Sequence, residues 1–92
     1  MYSYYLSSEA KEDLKRFYYY GVGKFGIVKA DQYFNMFYDC FGKIEQNPFL
    51  FPSADHIKKG YRYCVCGVDT IYYRLNGDKR IEIITIIGRQ DF

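Results

Sequence analysis

Residues 60–88 read GYRYCVCGVDTIYYRLNGDKRIEIITIIG, and three strand-like segments are legible within them, over 60–67, 69–75 and 80–88. All three are rich in Tyr, Val, Ile and Thr, the side chains that pack well on a pleated surface. Asn76-Gly77-Asp78 separates the second from the third. An Asn-Gly pair readily adopts the φ > 0 conformations of a tight hairpin turn. Near the other end of the chain, residues 2–6 (YSYYL) form a short aromatic run that predicts a first strand. Two helical segments lie between it and the meander. The expected architecture is a single α+β domain over residues 1–92, in the order β-α-α-β-β-β. It combines an N-terminal strand, an antiparallel helical hairpin and a mainly antiparallel sheet.

The first helix is introduced by Ser7 as N-cap, with Glu9, Glu12 and Asp13 placed early, where acids complement the helix dipole. Ala10, Leu14, Phe17, Tyr18, Val22 and Phe25 follow a three-four spacing and make one apolar stripe. Gly26 is a good stop, since glycine enters the left-handed region cheaply. A second stripe follows at once in Ala30, Tyr33, Phe34, Phe37, Phe41 and Ile44. Asn47-Pro48 ends it, because a residue before proline is driven out of the helical region. So short a link between two amphipathic helices predicts a helical hairpin. Residues 48–59 (PFLFPSADHIKK) hold both prolines and no clean period, and read as a loop with some packed rings.

Strict alternation along 80–88 puts Ile81, Ile83, Thr85 and Ile87 on one face, and Glu82, Ile84 and Ile86 on the other. A strand apolar on both faces is normally covered on both. One helical hairpin covers one face, so the pattern predicts a partner over the other; the alternative is that Ile84 and Ile86 lie under the 48–59 loop.

Composition sharpens this. Twelve Tyr and eight Phe, with no Trp, are too many rings for so small an interior, which places several at partly buried surfaces or interfaces. The net charge of +2 is too small to announce a nucleic-acid binder. From Lys58 onward, however, seven basic residues face four acids, so the positive excess sits on the sheet half. Three cysteines, an odd number, without a secretory signal or a long apolar stretch, predict a cytoplasmic protein with free thiols and no membrane partner. Cys64 and Cys66 share one strand face; that Cys-x-Cys pair plus the lone His56 is too few ligands for a closed zinc site, and all three cysteines, Cys40 included, read as small buried apolar residues.

The chemistry of catalysis is thinly represented. A nucleophilic triad would have to centre on His56 in a loop. Gly21-x-Gly23 lacks the strand before it and the Lys-Ser/Thr after it that a phosphate loop needs. No carboxylate cluster suggests a metal, and no cofactor is expected. One constellation could cleave RNA: Arg62, Arg74, Arg80 and Arg89 to stabilise phosphorane charge, with Glu82 or His56 to move a proton.

Several pieces resemble a known family in order and spacing. Leu6-Ser7-x-Glu9-Ala10-x-x-Asp13-Leu14 is similar to the strand-to-helix passage of ParE-type toxins in the RelE/ParE superfamily. Phe25-Gly26 followed by Ala30-Asp31-x-Tyr33 resembles the helix–helix junction, and Asn47-Pro48 the end of the second helix. Arg62, Ile71-Tyr72-Tyr73-Arg74 and Gly88-Arg89-Gln90-Asp91 resemble the sheet. The resemblance implies a RelE/ParE-like fold and a toxin held inactive by a cognate antitoxin, in a toxin–antitoxin hetero-oligomer. ParE-branch members poison DNA gyrase; RelE-branch members cut mRNA on the ribosome with basic residues and Tyr, His or Glu near the chain end. This chain ends Arg89-Gln90-Asp91-Phe92, and Ile87 stands where the family often has histidine.

These departures favour a gyrase inhibitor that acts by binding, with no catalytic residues. Arg62, Arg74 and Arg89 are the expected contacts to target or nucleic acid. Leu14, Phe17, Tyr18, Phe37, Ile84 and Ile86 are the expected antitoxin contacts. The alternatives are a RelE-like mRNA endonuclease using Arg62, Arg74, Glu82 and His56, and a non-toxic adaptor that recognises one protein.

Overall fold

The computed structural model describes residues 1–88, and its elements follow the expected order. They are β1 (Ser3–Leu6), α1 (Ser8–Phe25), α2 (Ile27–Gln46), β2 (Arg62–Cys66), β3 (Asp69–Leu75) and β4 (Arg80–Gly88). The four strands form one sheet in the order β1-β4-β3-β2. β2–β3 and β3–β4 are antiparallel, whereas β1 lies parallel to β4, with Tyr4 opposite Ile81 and Leu6 opposite Ile83. The first strand therefore pairs with the last, and the helical hairpin between them packs over one face.

Local chemistry sets the helix ends. The Ser7 hydroxyl accepts the Ala10 amide at 3.0 Å and donates to the Ile84 carbonyl at 2.7 Å. One side chain thus starts α1 and ties it to β4. Gly26, at φ +90°, both closes α1 through its N–H to the Val22 carbonyl and opens α2. The two helices approach closely just below this joint, where a Cβ on Gly21 would stand 3.4 Å from that of Ala30.

The core is the cleft between hairpin and sheet. Phe17 and Phe37 stack with ring centroids 5.8 Å apart. Phe41, Ile44, Ile71, Tyr73, Ile81, Ile83 and Ile86 complete it. Tyr73 sends its hydroxyl to the Pro48 carbonyl at 2.6 Å, and burial pushes that phenol up to about 12. Cys40, Cys64 and Cys66 are free and buried, as expected. Burial, reinforced by the neighbouring Cys40, raises the Cys64 thiol to about 11 and drives Cys66 upward too.

The alternation predicted for the last strand breaks at one residue. Tyr72 stands opposite Thr85 but Tyr73 stands opposite Ile83, so Ile84 is an extra residue in β4, a bulge. An extra residue reverses every side chain beyond it. Ile86 therefore joins Ile81 and Ile83 in the core, and Ile87 turns outward, half-exposed. The two-sided apolar strand inferred from the sequence is in fact largely one-sided.

Candidate binding surfaces

The stripe on each helix is wider than the sheet can cover. Its sheet-facing part, Leu14, Phe17 and Phe37, is buried. These three and Ile86 were expected at the antitoxin interface. The structure places them inside the core, because the sheet claims the centre of each stripe first and the bulge brings Ile86 in with it.

What remains at the surface is the outer seam of the hairpin. Tyr18 of α1 meets Phe34 of α2 edge-on at 5.5 Å, Phe34 meets Tyr38 at 5.2 Å, and Tyr38 meets Phe41 at 5.3 Å. Tyr19 extends the ladder at one end, and Tyr4 of β1 contacts Phe41 at the other. Lys15, Tyr18, Tyr19, Asp31 and Phe34 line a shallow hollow along it. The Tyr18 hydroxyl donates to Asp31 at 2.8 Å, a bond that also holds the phenol above its ordinary range. Tyr18 is thus an expected contact that stands at the surface, whereas Tyr19 and Tyr38 were not picked out from the sequence. The (i, i+4) spacing of Phe34 and Tyr38 at the edge of the α2 stripe was the available signal.

The sheet face away from the hairpin carries a second set. Across it, register aligns Tyr5, Glu82 and Arg74 in one row, Tyr63 and Tyr72 in the next, and Val65, Thr70 and Ile87 in a third. Arg74 Nε donates to Glu82 Oε1 at 2.8 Å, and the Arg80 guanidinium lies 4.6 Å over the Tyr5 ring. The bond to Glu82 raises the Arg74 pKa further still. Arg74 therefore stands on the surface, but paired.

Arg62 behaves differently. It stands opposite Tyr73 on the hairpin side of the sheet. Its Nη1 donates to the Phe51 carbonyl at 2.6 Å, and its guanidinium covers the Phe49 ring at 5.2 Å. It pins the 48–59 loop against β2, beside the Tyr63 amide bonded to the Pro52 carbonyl at 3.1 Å. The same loop is tightened by Asp55, whose carboxylate accepts the Gly60 amide at 2.8 Å and is held below its ordinary range by that bond and by Ser53. His56 is exposed on this loop. The four residues of the RNA-cleaving alternative are therefore split, with Arg74 and Glu82 on the open face and Arg62 on the other. Ile84 is half-buried at the bulge, and Arg89 lies outside the described residues.

The same architecture occurs in a solved structure described as the chromosomal ParDE TA system from P. aeruginosa. The TM-score is 0.83 at 21% identity, covering 96% of each chain. Among curated proteins, Toxin ParE1 of Mycobacterium tuberculosis is 26% identical over 87 residues, 95% of this chain and 89% of that one. Toxin ParE1 of Caulobacter vibrioides is 29% identical over 84 residues, 91% and 85%. The family described as ParE toxin of type II toxin-antitoxin system, parDE, matches residues 4–91. The fold is the α+β, RelE/ParE-like one, and the chain belongs to the ParE toxin family.

Proposed function

We propose that this chain is neutralised by a cognate antitoxin and, when free of it, inhibits DNA gyrase and so replication in the cytoplasm, by binding and not by catalysis. The observation that carries the reading is the family match over residues 4–91. The geometry supports it in two ways. The outer seam offers partly exposed rings to a partner that can lie along the hairpin, as an antitoxin tail folding on contact would. The separation of Arg62 from Arg74 and Glu82 suits a surface that binds better than one that moves protons.

The test is a supercoiling and DNA-cleavage assay of purified chain with gyrase, with and without antitoxin. Loss of supercoiling, or accumulated cleaved DNA reversed by antitoxin, is the expected result. No effect at micromolar protein, with mRNA cut on ribosomes instead, would replace this reading with the endonuclease one.

A further inference from the structure

The outer seam leaves one part of the hairpin unexplained, its far end. Phe25, Ile27 and Val28 project there at 57%, 61% and 67% exposure, with Tyr20 one turn and a half below. Adjoining bulky apolar side chains on a projecting end mark a contact site more often than scattered surface residues do. The charge there is net positive. Lys24 and Lys29 flank the apex against one acid, Asp31, which lies about a turn along α2 and accepts the Tyr18 hydroxyl. Lys15 and Arg16 lie further down α1 and pair with Glu12 and Asp13. The Lys24 ammonium lies 5.6 Å over the Tyr20 ring, folded back along α1 from the tip.

We propose that this tip is a docking site for an anionic lipid bilayer surface, independent of gyrase and of the antitoxin. The layering is that of a shallow membrane anchor. Aliphatic and phenyl groups form the apex; Tyr20 and the Lys24 head lie about 7 Å lower, from five residues of helical rise. Interfacial segments sink about 5–10 Å, with Tyr and Lys at the headgroup level. The apex is convex, whereas helical partners are received in grooves. Ile27 and Val28 have no ring to stack on a base, which disfavours a nucleic acid as the anionic partner. A sequence without a spanning stretch predicts no membrane partner, and no helix of the described chain is long and apolar enough to cross one. A surface contact needs neither.

Trp is absent from the sequence, so one introduced Trp reports on its own surroundings. The full chain carrying Phe25→Trp is titrated with vesicles of phosphatidylcholine, with or without about one third phosphatidylglycerol. Val65→Trp, on the open sheet face, is the control. The expected result is a blue shift and quenching by brominated acyl chains for Phe25→Trp with anionic vesicles only, and none for Val65→Trp.

Ile27→Ser with Val28→Ser should weaken vesicle sedimentation at least tenfold. Lys24→Glu with Lys29→Glu should weaken it by roughly fivefold or more per lysine. Circular dichroism and melting confirm that both variants fold. The proposal is overturned by absent binding, by equal binding to neutral vesicles, or by binding that survives the Ile27/Val28 pair. It is also overturned if the tip variants lose affinity for purified antitoxin while the parent ignores vesicles.

Discussion

Asp13 Oδ2 accepts the backbone N–H of Ile86 at 2.9 Å, across 73 positions of sequence, and the Thr85 hydroxyl at 2.8 Å. β1 stops at Leu6, so beyond Ile83 the edge of β4 turned away from β3 has no neighbouring strand among the described residues. The first turns of α1 supply the missing acceptor, and the Asp13 side chain is 7% exposed there. Asp13→Ala would leave the buried amide unmet and should lower stability by about 2–4 kcal/mol. Asp13→Asn keeps an acceptor and should lose less. Urea denaturation of the three proteins measures both; equal stability would show that water replaces the carboxylate.

Arg62 should prove to be a residue of the loop. Its guanidinium bonds the Phe51 carbonyl and covers the Phe49 ring at the same time, a pair of contacts that a compact ammonium makes one at a time, so Arg62→Lys should rescue Arg62→Ala only in part. Either change should speed hydrogen exchange at the Tyr63 and Ala54 amides, which the loop protects. A loss of gyrase inhibition with unchanged exchange would instead make Arg62 a direct contact.

The outer seam should carry antitoxin affinity. Tyr38→Ala and Phe34→Ala each remove a ring from the surface ladder and should weaken antitoxin binding about 10- to 100-fold in calorimetry. Tyr18→Phe removes one exposed hydrogen bond and should change binding little.

Alkali should destabilise the fold before it ionises the folded state. The Cys64 thiol is raised from 9.0 to about 11 and the Tyr73 phenol from 10.0 to about 12. Both folded pKa values are raised, so the stabilisation is whole below pH 9, where the unfolded chain begins to lose protons first. It falls as pH rises through the window from 9 to about 12. Denaturation midpoints at pH 8 and pH 10.5 test this, and Cys64→Ala should flatten the lower part of the decline. Native Cys64 should also resist alkylation at pH 8.

Gly67→Ala should destabilise by about 1–2 kcal/mol. Gly67 has φ +63°, and an added Cβ would lie 3.2 Å from Met36 Cε. Met36→Ala in the same chain removes the clash but not the backbone strain, so rescue should be partial in thermal melts.

Most elements could be read from the chain because their signals are local. Ser7, Gly26 and Asn47-Pro48 mark helix ends by chemistry that acts within a few residues. The bulge at Ile84 is different: it exists only once β3 and β4 have chosen their register, and Ile83-Ile84-Thr85-Ile86 offers no residue that advertises it. The error over Ile86 follows from that alone. Leu14, Phe17 and Phe37 were misplaced because a stripe tells which side of a helix is apolar, not how much of it a sheet will cover. Arg62 and Arg74 look alike in sequence; only the pairing register, which sets Arg62 opposite Tyr73 and so out of step with Arg74, shows that they serve opposite faces.

β4 is a central strand, flanked by β1 on one side and β3 on the other, yet it is made after both. Until residues 80–88 have left the ribosome, β1 has no partner and the Ser7 and Asp13 side chains have nothing to hold. Translation thus imposes a delay between synthesis of the hairpin and its seating. During that delay the rings that later fill the core stand open to any chaperone or binding partner already present in the cell.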